Sequence, residues 1–284
     1  MHDDTTYCGR QSLTYTKSTG RKRAGVKSNS RSRRSDFLPY SLRPREANGA
    51  HRGPDDQGIH VDGAVGLGSR RLSIIDLSER SNQPLVDEQL GLVLVFNGTI
   101  YNYPELREQL RSRGYSFFSD GDSEVILKAY AEWGEDCPGH LHGMFAFAVW
   151  DMAEKTLFLA RDRMGIKPLF YTVNQKRLLF GSEIKALLAC PDCPREFDWE
   201  TALSFNLIQQ SVDNPLPSFF KNIKQLSGGS LLIAKPDTGE VQEERWWTLN
   251  IPTDEEFAAD NRSAEEVIQG YGDLLADSVR LRLM

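Results

Sequence analysis

The most constraining part of this chain lies between residues 143 and 185. Four short apolar runs, at 144–150, 156–160, 169–173 and 178–180, follow one another there. The first two are joined by residues 151–155 and the last two by 174–177. Parallel strands need a crossover of a dozen or more residues, so links this short predict antiparallel neighbours in a meander. A further run at 230–234 follows the turn Ser227-Gly228-Gly229. Residues 92–96 are apolar without a break and end at Asn97-Gly98, which reads as a buried strand running into a turn.

Helical patterns interrupt these strands. One starts near Pro104, carries Leu106 and Leu110 one turn apart, and is stopped by Gly114. A second begins around Asp122-Ser123-Glu124, where acidic and hydroxyl groups suit the positive end of a helix. It carries Val125, Ile126, Ala129, Tyr130 and Trp133 at helical spacing before Gly134. Near the end of the chain, Ser263 and Glu266 form a capping-box pair ahead of Val267, Ile268, Tyr271, Leu274, Leu275 and Val279, which predicts an amphipathic helix.

A chain of 284 residues can hold one large domain or two ordinary ones. Its apolar runs are far too short for a membrane span, and no apolar signal core follows Met1. Cys8, Cys137, Cys190 and Cys193 are too few for a disulfide framework. A reduced cytoplasmic protein is therefore expected. Cys190 and Cys193 have the spacing of metal or redox ligands, but no second pair and no nearby His joins them, so no metal is expected. The net charge of −6 hides an asymmetry: residues 1–50 carry eleven Lys/Arg against four Asp/Glu. Those cations sit among Ser, Thr and Gly without helical or strand period, which reads as a disordered arm rather than a nucleic-acid surface.

Several polar residues stand where strands should end. Arg71 is flanked by apolar residues, and its stem alone could cover apolar surface. Asn97-Gly98 could be only a turn, and Asp122 only a helix cap. Together they fall into a definite series. Arg52-Gly-Pro-Asp55, Arg71-Leu-Ser-Ile-Ile-Asp76, Phe96-Asn-Gly-Thr-Ile-Tyr-Asn102, Ser119-Asp-Gly-Asp-Ser-Glu124, Gly143-Met-Phe-Ala-Phe-Ala148, Ala160-Arg-Asp-Arg-Met-Gly-Ile-Lys-Pro-Leu169 and Gly181-Ser-Glu-Ile-Lys-Ala186 occur in that order.

The series resembles the glutaminase domain of glutamine-hydrolysing asparagine synthetases, from His51 to the end and more weakly between about residues 191 and 261. Residues 92–137 are most similar to the branch called N-acetylglutaminylglutamine amidotransferase. The resemblance implies an α+β fold of the N-terminal-nucleophile hydrolase type, a four-layer αββα sandwich of two mainly antiparallel sheets. It implies a class II amidotransferase site in which an N-terminal cysteine attacks the glutamine side-chain amide with its own α-amine as base. Asn97 and Gly98 would form the oxyanion hole. Arg71, Leu72, Ser73, Ile74, Ile75, Asn97, Gly98, Thr99 and Asp122 would bind glutamine. Arg71 would hold the α-carboxylate and Asp122 the α-ammonium. Thr99 stands where asparagine synthetases usually have Glu.

The ends depart from the pattern. The family begins Met-Cys-Gly-Ile, whereas His2 follows Met1 here. Cys8 is the candidate nucleophile, and it would gain a free α-amine only on cleavage after Tyr7. Residues 10–41 do not read as the buried first strand of such a fold. The expected organisation is therefore an atypical, disordered segment at 1–50, the glutaminase domain at 51–249, and the first helix of a truncated synthetase domain at 250–284. A missing first strand would leave Phe96 and Phe145 without cover and the protein marginally stable. ATP and Mg would belong to the synthetase domain, since no S-G-G-x-D-S loop is present, and no cofactor is expected in this chain itself. Glutamine is the expected partner, with homodimerisation open. The rival reading is a catalytically inactive remnant that binds glutamine or another partner.

Overall fold

The computed structural model describes residues 56–71, 75–174, 177–205 and 217–283, together with the strand Ser12–Tyr15. The strands are β1 (Ser12–Tyr15), β2 (Asp56–Asp62), β3 (Val65–Arg71), β4 (Leu85–Asp87), β5 (Leu92–Ile100), β6 (Gly143–Asp151), β7 (Thr156–Arg161), β8 (Phe170–Asn174), β9 (Arg177–Gly181), β10 (Lys224–Gln225), β11 (Ser230–Lys235) and β12 (Glu240–Arg245). The helices are α1 (Tyr103–Ser112), α2 (Asp122–Trp133), α3 (Cys137–His140), α4 (Ile184–Leu188), α5 (Trp199–Ser204), α6 (Asp254–Ala258) and α7 (Ala264–Arg280).

The strands form two six-stranded antiparallel sheets. Their orders are β10-β8-β9-β1-β3-β2 and β12-β11-β7-β6-β5-β4. The apolar runs explain how the sheets stack, because alternate residues of a strand face opposite ways. In β5, Leu92, Leu94 and Phe96 join a core shared with Leu106, Leu110, Val125 and Ile126 of α1 and α2. Val93 and Val95 face the other way, into a core with Val65, Leu67, Leu178 and Phe180 of the first sheet. In β6, Phe145, Phe147 and Val149 face the helices, while Ala146, Ala148 and Trp150 face the sheet. Leu179, on the outer side of the first sheet, packs with Leu187, Cys190, Cys193 and Ile223. The order of layers is helix, sheet, sheet, helix, the α+β sandwich that the resemblance implies.

Four sequence expectations change. The four runs between 144 and 180 are not one meander but two hairpins in different sheets, β6–β7 in the second and β8–β9 in the first, because the longer link after β7 carries the chain across. Ser12–Tyr15 forms a strand inside the first sheet, where Thr14 pairs with Gly181 on one side and with Gly68 on the other. The reading of 10–41 as free of a first strand therefore fails at these four residues. A strand bracketed by two neighbours draws its bonds from them and needs no apolar pattern of its own. The other residues of 1–50, Cys8 among them, lie outside the described residues, as does the motif at Arg52. Phe96 and Phe145 are fully covered, at 1% and 0% exposure, because they face the helix layer and not the first sheet. Asn97-Gly98 is no turn: β5 runs on to Ile100, paired with β6 throughout.

The capping box of α7 forms as expected, with Ser263 Oγ accepting from the Glu266 N–H at 3.2 Å and Glu266 Oε2 accepting from the Ser263 N–H at 2.7 Å. The short α6 precedes it. Val267, Ile268, Tyr271, Leu274, Leu275 and Val279 are all exposed. Arg282, beyond the end of α7, lies over the Tyr101 ring at 5.0 Å. Among the described residues no helix is long and apolar enough to cross a membrane.

Phe147 has no exposed surface and sits between the rings of Phe145 at 5.6 Å and Phe158 at 6.0 Å. Phe147→Ala is expected to cost ~3–5 kcal/mol, read as a lower urea midpoint with unchanged slope.

Candidate active site

The C-terminal half of β5 carries three of the candidate residues, Asn97, Gly98 and Thr99. Asn97 is buried, and its Nδ2 donates to Ser182 Oγ at 3.2 Å, across to the residue that follows β9. Gly98 is there for space. A Cβ on it would meet the Met144 carbonyl oxygen at 2.2 Å and the Phe145 Cα at 2.8 Å. Only glycine lets β5 press this closely on β6 while staying paired. Thr99 is partly exposed at the same strand end. The opposing strand is braced in turn: the Phe145 N–H, in register with Gly98, donates to Asp162 Oδ2 at 3.1 Å. Asp162 also accepts the N–H groups of Met164, Ile166 and Lys167, which makes the Ala160–Leu169 motif a clamp behind the site.

Asp122 is the first residue of α2 rather than its cap, and Gly121 takes the capping position. Its buried Oδ2 accepts the Ile100 N–H at 3.0 Å, tying the end of β5 to the start of the helix. Burial pushes the Asp122 carboxyl up to about 6, against the opposing pull of the Ile100, Asp122 and Ser123 N–H groups and of the Arg71 charge. Asp122 is thus tied to β5 at Ile100, two and three residues beyond Gly98 and Asn97, and lies near enough to Arg71 to feel its charge.

Arg71 is buried at the end of β3, and both terminal nitrogens of its guanidinium are engaged by the following loop. Nη1 donates to the Ser78 carbonyl at 3.0 Å and to Asn82 Oδ1 at 2.7 Å. Nη2 donates to the Ile75 carbonyl at 3.2 Å and to the Asp76 carbonyl. The open fork expected for a ligand carboxylate is therefore occupied, and of the Arg71–Ile75 run Ile75 contributes a carbonyl to it. Leu72, Ser73 and Ile74 lie outside the described residues.

The sequence reading missed a set of residues that hold this loop to the helix start. Asp76 Oδ1 accepts the Ser78 N–H at 2.9 Å, and Oδ2 accepts Ser81 Oγ–H at 2.5 Å and the Asp120 N–H at 3.0 Å. Burial works to raise the Asp76 carboxyl, but bonds from Ser78, Ser81 and Asp120 outweigh it and hold the carboxyl well below the usual range. Arg107 of α1 donates to the Ser119 and Gly121 carbonyls at 2.6 and 2.8 Å. Glu124 accepts from the Phe118 and Ser119 N–H groups and from Ser119 Oγ–H. Lys128 bridges Glu124, at 3.8 Å, to the buried Asp87. The partners are remote in sequence, 85 residues apart for Asn97 and Ser182 and 44 for Asp76 and Asp120, so no local pattern announces them. Among the described residues no group of three or more His, Cys, Asp or Glu is placed to hold a metal ion.

Residues 24–247 match the family model described as a glutamine amidotransferase domain, starting within the segment 1–50. The match takes in most of the chain, which belongs to this family of class II glutamine amidotransferase domains. More particularly, it is 41% identical over 233 residues to asparagine synthetase [glutamine-hydrolyzing] 2 of Bacillus subtilis (strain 168), covering 81% of this chain and 31% of that one. It is 40% identical over 236 residues to amidase chry2 of Gibberella zeae, covering 82% and 34%. Among solved structures, the glutamine phosphoribosylpyrophosphate amidotransferase of B. subtilis is 21% identical with a TM-score of 0.48, covering 67% of this chain and 36% of that one. The chain spans about a third of the length of the curated relatives it matches.

The position of Asp122 gives a pH signature. Its folded pKa lies above the unfolded value of 3.8, so the folded state holds more protons between about pH 4 and 6. Stability therefore falls as pH rises through that window. Relative to Asp122→Asn, the wild-type chain is expected to lose roughly 2 kcal/mol on going from pH 4 to pH 7, because each tenfold difference in proton affinity between the two states is worth ~1.36 kcal/mol and the unfolded carboxyl is already largely ionised at pH 4. Urea unfolding of both proteins at the two pH values measures this.

Proposed function

We propose that this domain binds free glutamine and hydrolyses its side-chain amide, releasing ammonia. The observation that carries the reading is that the buried Asp122 is bound to Ile100 at the end of the same strand that carries the buried Asn97 and the close-packed Gly98. In this reading the α-ammonium pairs with Asp122. A carboxylate that burial disfavours as an anion gains from a cation arriving beside it. The side-chain carbonyl oxygen lies against Asn97 Nδ2 and the Gly98 N–H. Those donors stabilise the negative charge that forms when a thiolate adds to the amide carbon. The C–N bond then breaks, the nitrogen leaves as ammonia with a proton from the base, and water hydrolyses the thioester to glutamate. Arg71 acts on the α-carboxylate by its charge and by shaping the loop. A two-pronged contact would require loop carbonyls to let go. ATP- and Mg-dependent amidation of a carboxylate belongs, in this proposal, to the portion of the longer relatives that this chain does not span.

The nucleophile decides between hydrolysis and binding alone. Cys8 follows Tyr7, so its nitrogen is a peptide nitrogen and cannot act as an α-amine base. That favours a second reading, in which the chain as it stands binds glutamine without turnover. Glutamate release at the level of the blank fits this second reading. Release that Cys8→Ala removes fits the first.

Binding itself is tested by thermal-shift titration of the full chain. Glutamine should stabilise it by ~2.7 kcal/mol at a hundredfold excess over the dissociation constant. Glutamate should do less, and glutaramate, which lacks the ammonium, less still. Arg71→Ala should abolish the shift and Asp122→Asn weaken it. A glutamine shift no larger than that of glutaramate, or one untouched by Arg71→Ala, defeats the proposal.

A further inference from the structure

Ser182 has almost no exposed surface, and its Oγ faces Asn97 Nδ2 at 3.2 Å. The two residues belong to different sheets. Asn97 sits in β5 and Ser182 directly follows β9, so their bond crosses from one sheet to the end of a strand of the other, three residues before the Ile100 that Asp122 holds. The mount of Ser182 is fixed on both sides. The preceding Gly181 is paired with Phe170 of β8 and with Thr14 of β1. The following Glu183 caps α4, where its carbonyl accepts the Ala186 N–H at 3.0 Å.

An asparagine carboxamide turns about a broad, roughly two-fold torsion, so burial alone does not determine which way its N–H groups point. A hydroxyl held rigidly beside the carboxamide, accepting one N–H of Nδ2, limits that rotation. We infer that Ser182 is a positioning residue of the glutamine site, which orients the Asn97 carboxamide so that it donates to the side-chain carbonyl of the substrate. This rests on the glutamine reading given above and adds the group that aims its donor. A donor fixed before the ligand arrives has no reorganisation left to perform when charge develops, which is the condition for oxyanion stabilisation. Loss of Ser182 should therefore weaken recognition of the carboxamide and leave recognition of the amino-acid end alone.

Two ligands separate these effects. Norvaline has the α-carboxylate, α-ammonium and straight carbon chain of glutamine but no carboxamide. Affinities of the full chain for both, by calorimetric titration, give a glutamine-to-norvaline ratio that reports the carboxamide contacts. In Ser182→Ala the ratio is expected to fall roughly three- to tenfold, the scale of one lost hydrogen bond, with norvaline affinity within about twofold of wild type. Ser182→Cys keeps the bulk of the side chain and replaces the hydroxyl by a weak acceptor, so it should lower the ratio in the same way even if the alanine variant does not fold. Ser182→Thr, which keeps the hydroxyl, should retain the wild-type ratio. An unchanged ratio in the alanine and cysteine variants overturns the inference, as does a parallel loss of both ligands, which marks a merely structural role. A wild-type chain that binds neither ligand overturns the glutamine reading, and this inference with it.

Discussion

β5 and β6 are buried on both faces, and the rest of the molecule is arranged around that constraint. Each strand must serve two cores at once, and the side chains are graded for it. Phe96, Phe145 and Phe147 fill the wide space beneath α1 and α2, while Val93, Val95, Ala146 and Ala148 allow the first sheet to approach. Interiors are packed at near-crystalline density, so the two sets cannot be exchanged without leaving a void on one side and a clash on the other. The same close approach continues to Gly98, where bulk would strike the backbone of β6. Packing and the candidate chemistry are thus adjacent parts of one strand pair.

Around that pair lies a shell of buried charge. Arg107, Glu124 and Asp162, with the half-buried Asp76, hold loops chiefly by accepting from backbone N–H groups or donating to carbonyls. Lys128 joins the shell through Asp87 and Glu124. Such groups are costly to bury unless fully partnered, and partnered they fix geometry. At Asp122 the carboxyl remains raised despite the N–H groups around it, so burial there outweighs the compensation the anion receives.

The hairpins β6–β7 and β8–β9 were legible because unbroken apolar runs and short links leave few alternatives, but the passage from one sheet to the other between them was not, since both sheets present the same kind of apolar run. Helix limits at Pro104, Gly114, Asp122 and Gly134 were legible from propensities that act within one turn. Asn97-Gly98 misled for the opposite reason: as a dipeptide it favours a turn, and only contact with Met144 and Phe145 shows why glycine is there. Arg71 was assigned to a ligand carboxylate by resemblance, and its engagement by the next loop was not legible because its acceptors are mostly backbone carbonyls, which no side-chain pattern encodes. Ser182 could be quoted as part of a motif, but its tie to Asn97 exists only once two sheets are stacked. The four residues of β1 escaped because neighbours, and not their own pattern, make them a strand.

That small strand has a temporal consequence. β1 lies at the N-terminal side of everything else described, yet one of its two flanks is β9, and Thr14 meets Gly181 only across more than half the chain. Contacts between segments so remote form late, because a long loop must close before they can contribute. During synthesis the β1 segment leaves the ribosome well before its second neighbour exists, and until then one side of it presents unpaired N–H and carbonyl groups. The first sheet is therefore closed by an earlier-made piece of the chain waiting for a later one, and the interval in which it waits is set by the rate of translation.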